Sequence, residues 1–380
     1  MRYPPHIIDQ LKSRLSITDE VRKVCPTLKK KGRYWWANCP FHSEKSPSFH
    51  VREDQGSYYC FGCGAAGDVI TFVQENQGGT FVEVVERLAK QVGFQLPEPE
   101  NHNPAAAAQR QDGLKALARA TVFFQRSLGG AALQYLQNRH LSPATIAEFQ
   151  LGYAPEGWSN LKDALLTEGF TPETLKLAGL TTEGQNASRG DYDRFRHRVI
   201  FPIHNTKAEV VGFGGRVLDK SEPKYLNSPE TPFFNKSYQL YNLHRAKPHL
   251  KASGQLVLVE GYMDVIALYQ AGFKTAVAPL GTAVTEEQLG LLWQNNPAPI
   301  VCLDGDAAGR TAAIRAAKRA LPVLEPGRTL QFVFLPQGED PDSLVHKDGL
   351  ATFRNLLGQT TPLENVLWQN LTASATLTTA

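Results

Sequence analysis

The chain has 380 residues, with 40 lysines and arginines against 37 aspartates and glutamates and a formal net charge of +3, a length that accommodates two or three domains. No early stretch carries the apolar h-region of a signal peptide and no run approaches the ~20 apolar residues of a membrane helix, which excludes a secreted or membrane-spanning reading and leads us to expect a cytoplasmic protein. The five cysteines are odd in number and three of them cluster with a histidine, which suits a metal site in a reducing compartment better than a disulfide framework.

The first hundred residues lead to a metal. Ile7–Leu15 and Ile17–Val24 read as short helices, the second capped by Ser16 or Thr18. A basic run, Lys29-Lys30-Lys31-Gly32-Arg33, precedes Tyr34-Trp35-Trp36 and then Cys39-Pro40-Phe41-His42; Cys60-Phe61-Gly62-Cys63 follows after seventeen residues. Two ligand pairs, each spaced by two residues and each in a tight turn, can close a tetrahedral zinc site. The connecting segments, around Ser48–Val51 and Ser57–Cys60, predict a β-ribbon. Four protein ligands leave no position for substrate, so the zinc is expected to be structural. Tyr34, Trp36, Phe49 and Tyr58 fall on these strands. Those that are exposed beside Lys29–Arg33, Lys45 and Arg52 form a stacking platform for single-stranded bases; if none is, the module is a plain zinc fold with a solvated lysine run. We place this domain at 1–96, closing with a helix over Phe81–Val92.

Residues 97–111 hold Pro97, Pro99, Pro104 and four consecutive alanines without hydrophobic periodicity, and read as a mobile linker. Helices over Asp112–Leu128 and Ala131–Arg139 then open a basic α/β subdomain spanning 112–253. Between Arg194 and Lys251, Lys and Arg outnumber Asp and Glu eleven to four; within 254–345 the balance reverses, six to ten. A basic segment feeding an acidic one suits a polyanion steered toward a metal centre. In Tyr192–Ile203, strand alternation would put Arg194, Arg196 and Arg198 on one face. Three guanidinium groups there repel unless an anion lies across them, and arginine suits phosphate. A second strand, Glu209–Arg216, is glycine-rich. A turn-rich loop, Pro223–Glu230, carries Lys224, and Lys236 lies just beyond.

The stretch 254–342 alternates short apolar strands with helices, the pattern of a parallel sheet buried on both faces. The strands are Leu256–Val259, Thr275–Leu280, Pro299–Leu303 and Leu330–Leu335. Glu260, Asp304, Asp306, Asp340 and Asp342 each fall just past a strand's carboxyl end, where open α/β sheets bind ligands. Clustered carboxylates repel unless cations neutralise them, and hard oxygen ligands without nearby His or Cys point to Mg²⁺ or Mn²⁺. Gly261 and Gly305 leave the backbone open to a ligand. Asp264, one turn past Glu260, either supports the site or pairs with a neighbour. Cys302 lies inside an apolar strand and reads as core.

Glu260, Asp304 and Asp306 match the motif of the Toprim domain, which this stretch resembles; the resemblance implies divalent metals serving phosphoryl transfer. Cys39, His42, Cys60 and Cys63, with Gly67-Asp68-Val69-Ile70-Thr71-Phe72-Val73, match the CHC2 zinc finger. That order of modules, with Arg196–Ile203, Gly212–Arg216 and Pro223–Ser228, resembles the DnaG-type bacterial primases from about residue 3 to 369. The fold class expected is therefore multi-domain α/β: zinc β-ribbon, mixed α/β subdomain, Rossmann-like Toprim subdomain, and a short, incomplete helical piece over 343–380. The resemblance implies a DNA-directed RNA polymerase of the replisome, making short RNA primers on single-stranded DNA from ribonucleoside triphosphates. It implies one structural Zn²⁺ and two or more Mg²⁺ or Mn²⁺, held by Asp304, Asp306, Asp340 and Asp342, with Glu260 as ligand or general base. Arg139, Arg194, Arg196, Arg198, Arg216, Lys224, Asn227 and Lys236 are implied to bind template or nucleotide, undivided between the two. A replicative helicase is the partner expected of the full-length protein through a domain this chain lacks. A Toprim nuclease, which needs metal but no triphosphate, a type IA topoisomerase, which needs a Tyr nucleophile in a separate gate-forming domain, and a RecR-like adaptor, which pairs zinc with an incomplete acid set, are the competing readings.

Overall fold

A computed structural model describes residue 3 and residues 5–78, 81–96, 104–184, 190–281 and 283–372. The chain divides into two units, Met1–Ala107 and Ala108–Ala380. In the first, helices Pro5–Lys12 and Ile17–Val24 precede a five-stranded sheet. Ser16 is the cap of the second helix, its hydroxyl accepting from the Asp19 N–H at 3.1 Å, whereas Thr18 is buried within it. The strands are β1 (Lys29–Lys31), β2 (Tyr34–Ala37), β3 (Phe49–Arg52), β4 (Ser57–Cys60) and β5 (Ala66–Asp68), antiparallel and in sequence order. Period-two alternation sorts their side chains. Phe49, Val51, Tyr58 and Cys60 turn into the core with Phe72, while Trp36, His50 and Tyr59 lie abreast on the opposite face. Asp68 starts the helix Val69–Gln77 by accepting from the Ile70 and Thr71 N–H groups.

A helix over Pro104–Arg126 spans the boundary between the units, so residues 104–111 of the expected linker are helical; residues 97–103 lie outside the described ones. Proline suits the first turn of a helix and the alanine run propagates it. After helices Gly130–Asn138 and Pro143–Glu148 come β6 (Gly152–Ala154), the ribbon of β7 (Thr181–Thr182) and β8 (Tyr192–Asp193), and the long pair β9 (Arg198–His204) and β10 (Val210–Val217), followed by β11 (Tyr225–Asn227). The sheet order is β11-β10-β9-β6, antiparallel throughout. The arginine row does not form. β9 begins only at Arg198, because His197 adopts φ +50° and breaks the extended alternation ahead of it.

The second sheet contains β12 (Val257–Leu258), β13 (Ala276–Val277), β14 (Ile300–Leu303), β15 (Gln331–Phe334) and β16 (Thr361–Pro362), ordered β13-β12-β14-β15-β16. All pairs are parallel except β15 with β16. The helices Tyr262–Gln270, Glu286–Asn295 and Ala307–Ala320 connect the strands. The order reverses between β12 and β14, which opens a crevice at their carboxyl ends. Tyr262 stacks on Phe201 at 5.3 Å and ties this sheet to the antiparallel one; a Cβ on Gly214 would come within 2.6 Å of the Tyr262 ring. The residues after 342 form the C-terminal helices expected from the sequence, and these pack against the parallel sheet. Helix Pro341–Leu357 packs on Tyr262–Gln270, β16 extends the sheet, and Leu363 and Val366 of helix Leu363–Thr372 join its core. Residues 373–380 lie outside the described ones.

Candidate active site and zinc centre

The crevice gathers the acids. Glu260 follows β12, Asp304 and Asp306 follow β14, and Asp340 and Asp342 follow β15. Glu260 Oε1 accepts the Asp304 N–H at 3.2 Å across the switch point. Asp306 and Asp340 cap the helices that begin after them, accepting from the Gly309 and Ser343 N–H groups at 2.7 and 2.6 Å. Asp264 Oδ2 accepts the Gly261 N–H at 2.9 Å and so caps its own helix rather than pairing with a cation. Asp342 Oδ2 takes the Arg139 guanidinium at 2.9 Å. The Oδ1 atoms of Asp304 and Asp342 are buried with no hydrogen-bond partner, a costly state for a carboxylate oxygen.

Electrostatics agree with that geometry. Burial first, then Glu260, Asp340 and Asp306, push Asp304 up to about 7. Asp264 is raised well above the usual carboxylate range by burial and then by Asp340 and Asp304. Burial raises Asp342 as well, against the pull of Arg139. Oxygen donors with stranded lone pairs and mutual repulsion fit a hard divalent cation. Gly305 serves packing rather than a ligand: a Cβ there would lie 1.9 Å from the Pro336 carbonyl oxygen, where the loops after β14 and β15 meet.

A cavity of about 550 Å³ adjoins the acids, lined among others by Arg139, Lys224, Asn227, Glu260, Asp264, Asp340 and Asp342. Of the remaining basic candidates, none lines it. Arg198 is buried and donates to the carbonyl oxygens of Pro223 (2.8 Å) and Gly215 (3.3 Å). Arg194 donates twice to the Asn227 carbonyl oxygen, at 2.8 and 3.1 Å. Arg196 lies over the rings of Trp158 and Tyr192 at 4.6 and 4.8 Å. Arg216 lies over the Tyr135 ring at 4.3 Å, and Arg139 over the same ring at 5.9 Å. Lys236 sits on a short 3₁₀ turn, where its carbonyl oxygen accepts from Gln288 at 2.9 Å. The Asn227 side chain is itself engaged, donating to the Leu280 carbonyl and accepting from the Tyr262 hydroxyl at 2.8 and 2.7 Å. Arg315 and Arg319 do line the cavity, and sequence reasoning passed over them. Their spacing, with Ala308, Ala312 and Ala316 on the same helix, was the available signal.

In the first unit, Cys39, His42, Cys60 and Cys63 bring one ligand atom each to within 4.8 Å of one another, positioned to bind a structural Zn²⁺. The Phe41 and Gly62 N–H groups donate to the sulfurs of Cys39 and Cys60 at 3.4 and 3.3 Å, as suits thiolates. Beside the cluster, the His50 ring stacks on Phe61 at 5.1 Å and lies 5.3 Å from Trp36 and 5.4 Å from Tyr34. Phe61 is 67% and Tyr59 41% exposed. Of the aromatics named from sequence, Phe49 and Tyr58 are core and the half-buried Tyr34 and Trp36 belong to this face; Phe61 and Tyr59 complete it and were missed. Phe61 stands out in sequence only as the tip of the Cys60–Cys63 turn.

The parallel sheet with its acidic crevice, set beside a basic antiparallel sheet and preceded by a zinc ribbon, defines a Toprim protein of nucleic-acid metabolism. Family models match in that order: the CHC2 zinc finger over residues 3–104, the N-terminal domain of the DNA primase catalytic core over 121–247 and the Toprim domain over 254–334. The chain is 44% identical to the DnaG primase catalytic domain solved bound to single-stranded DNA (TM-score 0.64, covering 72% of this chain and 86% of that one) and 33% identical to the zinc-binding and RNA polymerase domains of the Aquifex aeolicus primase (TM-score 0.62, 94% and 86%). The chain belongs to the DnaG-type family of bacterial DNA primases. It is 43% identical to the DNA primase of Pseudomonas putida over 98% of its own length and 44% identical to that of Escherichia coli K12 over 100%. It spans 57% and 66% of those relatives. Among the described residues, no helix is long and apolar enough to cross a membrane.

Proposed function

We propose that this chain synthesises short RNA primers on single-stranded DNA by nucleotidyl transfer from ribonucleoside triphosphates. The observation that carries the reading is the acid cluster. Two buried carboxylate oxygens there have no hydrogen-bond partner, Asp304 is pushed up to about 7 by burial and then by its acidic neighbours, and the adjoining cavity is lined by Arg139 and Lys224 together with Glu260, Asp340 and Asp342. Asp304, Asp306, Asp340 and Asp342 would hold divalent cations, and we assign Glu260 to the ligand set because one of its oxygens is already oriented by the Asp304 amide. Bound there, such ions lower the pKa of an attacking 3′-hydroxyl and steady a leaving pyrophosphate.

The chain's own groups supply the rest. Lys224, exposed on the rim, offers a mobile cation to a triphosphate. Arg139, held on Asp342, keeps its guanidinium turned to the crevice. Arg196, over the rings of Trp158 and Tyr192, presents a cation and rings to a template strand. Arg194 and Arg198 act on backbone carbonyls, fixing the strand and loop that bear Asn227 and Lys224. The zinc-bearing unit offers Phe61, Tyr59 and Trp36, packed around the buried His50 ring, as a stacking face for bases.

The test is primer synthesis with mixed-sequence single-stranded DNA, labelled ribonucleotides and Mg²⁺, beside an Asp304→Ala control. RNA made only by the unaltered chain supports the reading. DNA cut by metal without triphosphates would replace it with a Toprim nuclease.

A further inference from the structure

The zinc ligands are not the end of that site. Glu44, two residues past His42, points back into the turn with its side chain only 11% exposed. One of its oxygens, Oε1, accepts the Cys39 N–H at 2.7 Å and the Ser48 N–H at 3.1 Å. The other, Oε2, accepts the Ser48 hydroxyl at 2.5 Å and lies 3.3 Å from His42 Nε2. The opposite ring nitrogen, Nδ1, faces the Cys60 sulfur at 3.8 Å. A proton on Nε2, shared with the carboxylate, leaves the Nδ1 lone pair to the sulfur cluster. The far side is closed by Gly62: a Cβ there would stand 2.6 Å from His42 Nε2 and 2.8 Å from the Ser48 oxygen.

We infer that Glu44 is the positioning residue of the zinc centre: it selects Nδ1 of His42 as the metal-binding nitrogen and ties the Cys39 turn to Ser48, beside the Cys60 sulfur. The inference rests on the zinc reading above and adds to it. One carboxylate engages the first ligand turn directly, through the Cys39 amide and the His42 ring, and reaches the second through Ser48, whose hydroxyl oxygen sits 3.2 Å from the Cys60 sulfur. Carboxylate–histidine–metal arrangements of this kind raise ligand basicity, and their loss typically costs ~10–100-fold in metal affinity.

The experiment measures Zn²⁺ affinity and release in the full chain by competition with a chromophoric chelator, for the unaltered protein, Glu44→Ala and Glu44→Gln. Nitrogen-15 shifts of the histidine ring report which nitrogen holds the metal. Glu44→Ala should weaken zinc binding by about 10–100-fold and mix the two ring-nitrogen modes. The Gln variant, which keeps a neutral acceptor for the same amides, should lose less and decides the matter should the Ala variant fail to fold. Variants that hold zinc as tightly as the unaltered chain, through Nδ1 alone, would overturn the inference. An unaltered chain that takes up no zinc would overturn the zinc reading itself, and this inference with it.

Discussion

Asp304→Asn should stabilise the metal-free protein while it removes synthesis. The ordinary carboxylate value of 3.8 rises to about 7 at Asp304, through burial and then Glu260, Asp340 and Asp306. About three pK units correspond to ~4 kcal/mol at 1.36 per unit. The group is half open to water, and screening cuts that to roughly 1–2 kcal/mol. The sign follows from proton counting. Between about pH 4 and 7 the folded state keeps a proton that the unfolded chain has lost, so the destabilisation grows as pH rises through that window and is complete above it. Asn lacks the charge. In EDTA, its melting temperature should match the parent near pH 4 and exceed it by about 2–8 °C at pH 8, taking ~2–4 °C per kcal/mol for a unit of this size. Mg²⁺ at pH 8 should then raise the parent and move the variant much less. Thermal melts at the two pH values, with EDTA or Mg²⁺, make the test. A variant that melts below the parent in EDTA at pH 8, or gains equally at both pH values, would refute the claim that unshielded repulsion dominates the crevice.

Lys224→Ala should raise the nucleotide KM in steady-state primer synthesis by about tenfold, the scale of one charge-assisted contact, and leave zinc content unchanged; an unaltered KM would remove Lys224 from the triphosphate site. Phe61→Ala should weaken single-stranded DNA binding by the ~1–3 kcal/mol of one stacked base, read by fluorescence anisotropy. Its melting temperature should stay put, because the ring is 67% exposed. Gly305→Ala should cost about 2 kcal/mol or more, since the Pro336 carbonyl that its Cβ would meet at 1.9 Å is backbone and cannot swing aside. It should also lose the Mg²⁺-dependent rise in melting temperature, and a normal melt with a normal Mg²⁺ response would show that the two loops part freely.

The sequence was most legible where chemistry and periodicity coincide. Glu260, Asp304 and Asp340 announce themselves because an apolar strand must end before a charge can be solvated, and the strand ends are where the fold opens. The cysteine spacing is readable for a similar reason, as the metal dictates the turn. Long-range choices were not legible. Nothing local distinguishes Tyr58 from Tyr59, yet the first is buried and the second 41% exposed, because cross-strand register decides which face each meets. β16 was invisible for the same reason: two residues, Thr361 and Pro362, become a strand only through β15.

The arginines show how far composition can mislead about role. Arg194, Arg196 and Arg198 look alike in sequence, and the alternation suggests a shared anion. His197, in the left-handed region, breaks that alternation, and each guanidinium then answers to different neighbours. Arg198 is spent on the carbonyl of Pro223, the residue before Lys224. Arg194 holds the carbonyl of Asn227, whose side chain reaches the Leu280 carbonyl and the Tyr262 hydroxyl. These bonds run from the basic sheet to the loop after β13 and to the helix that follows Glu260. Two of the three arginines thus set the spacing between the basic wall and the acidic crevice. Arg196 donates to the carbonyl of Asp193 in its own turn and lies over the rings of Trp158 and Tyr192, which leaves Lys224, exposed at the cavity, to meet a polyanion.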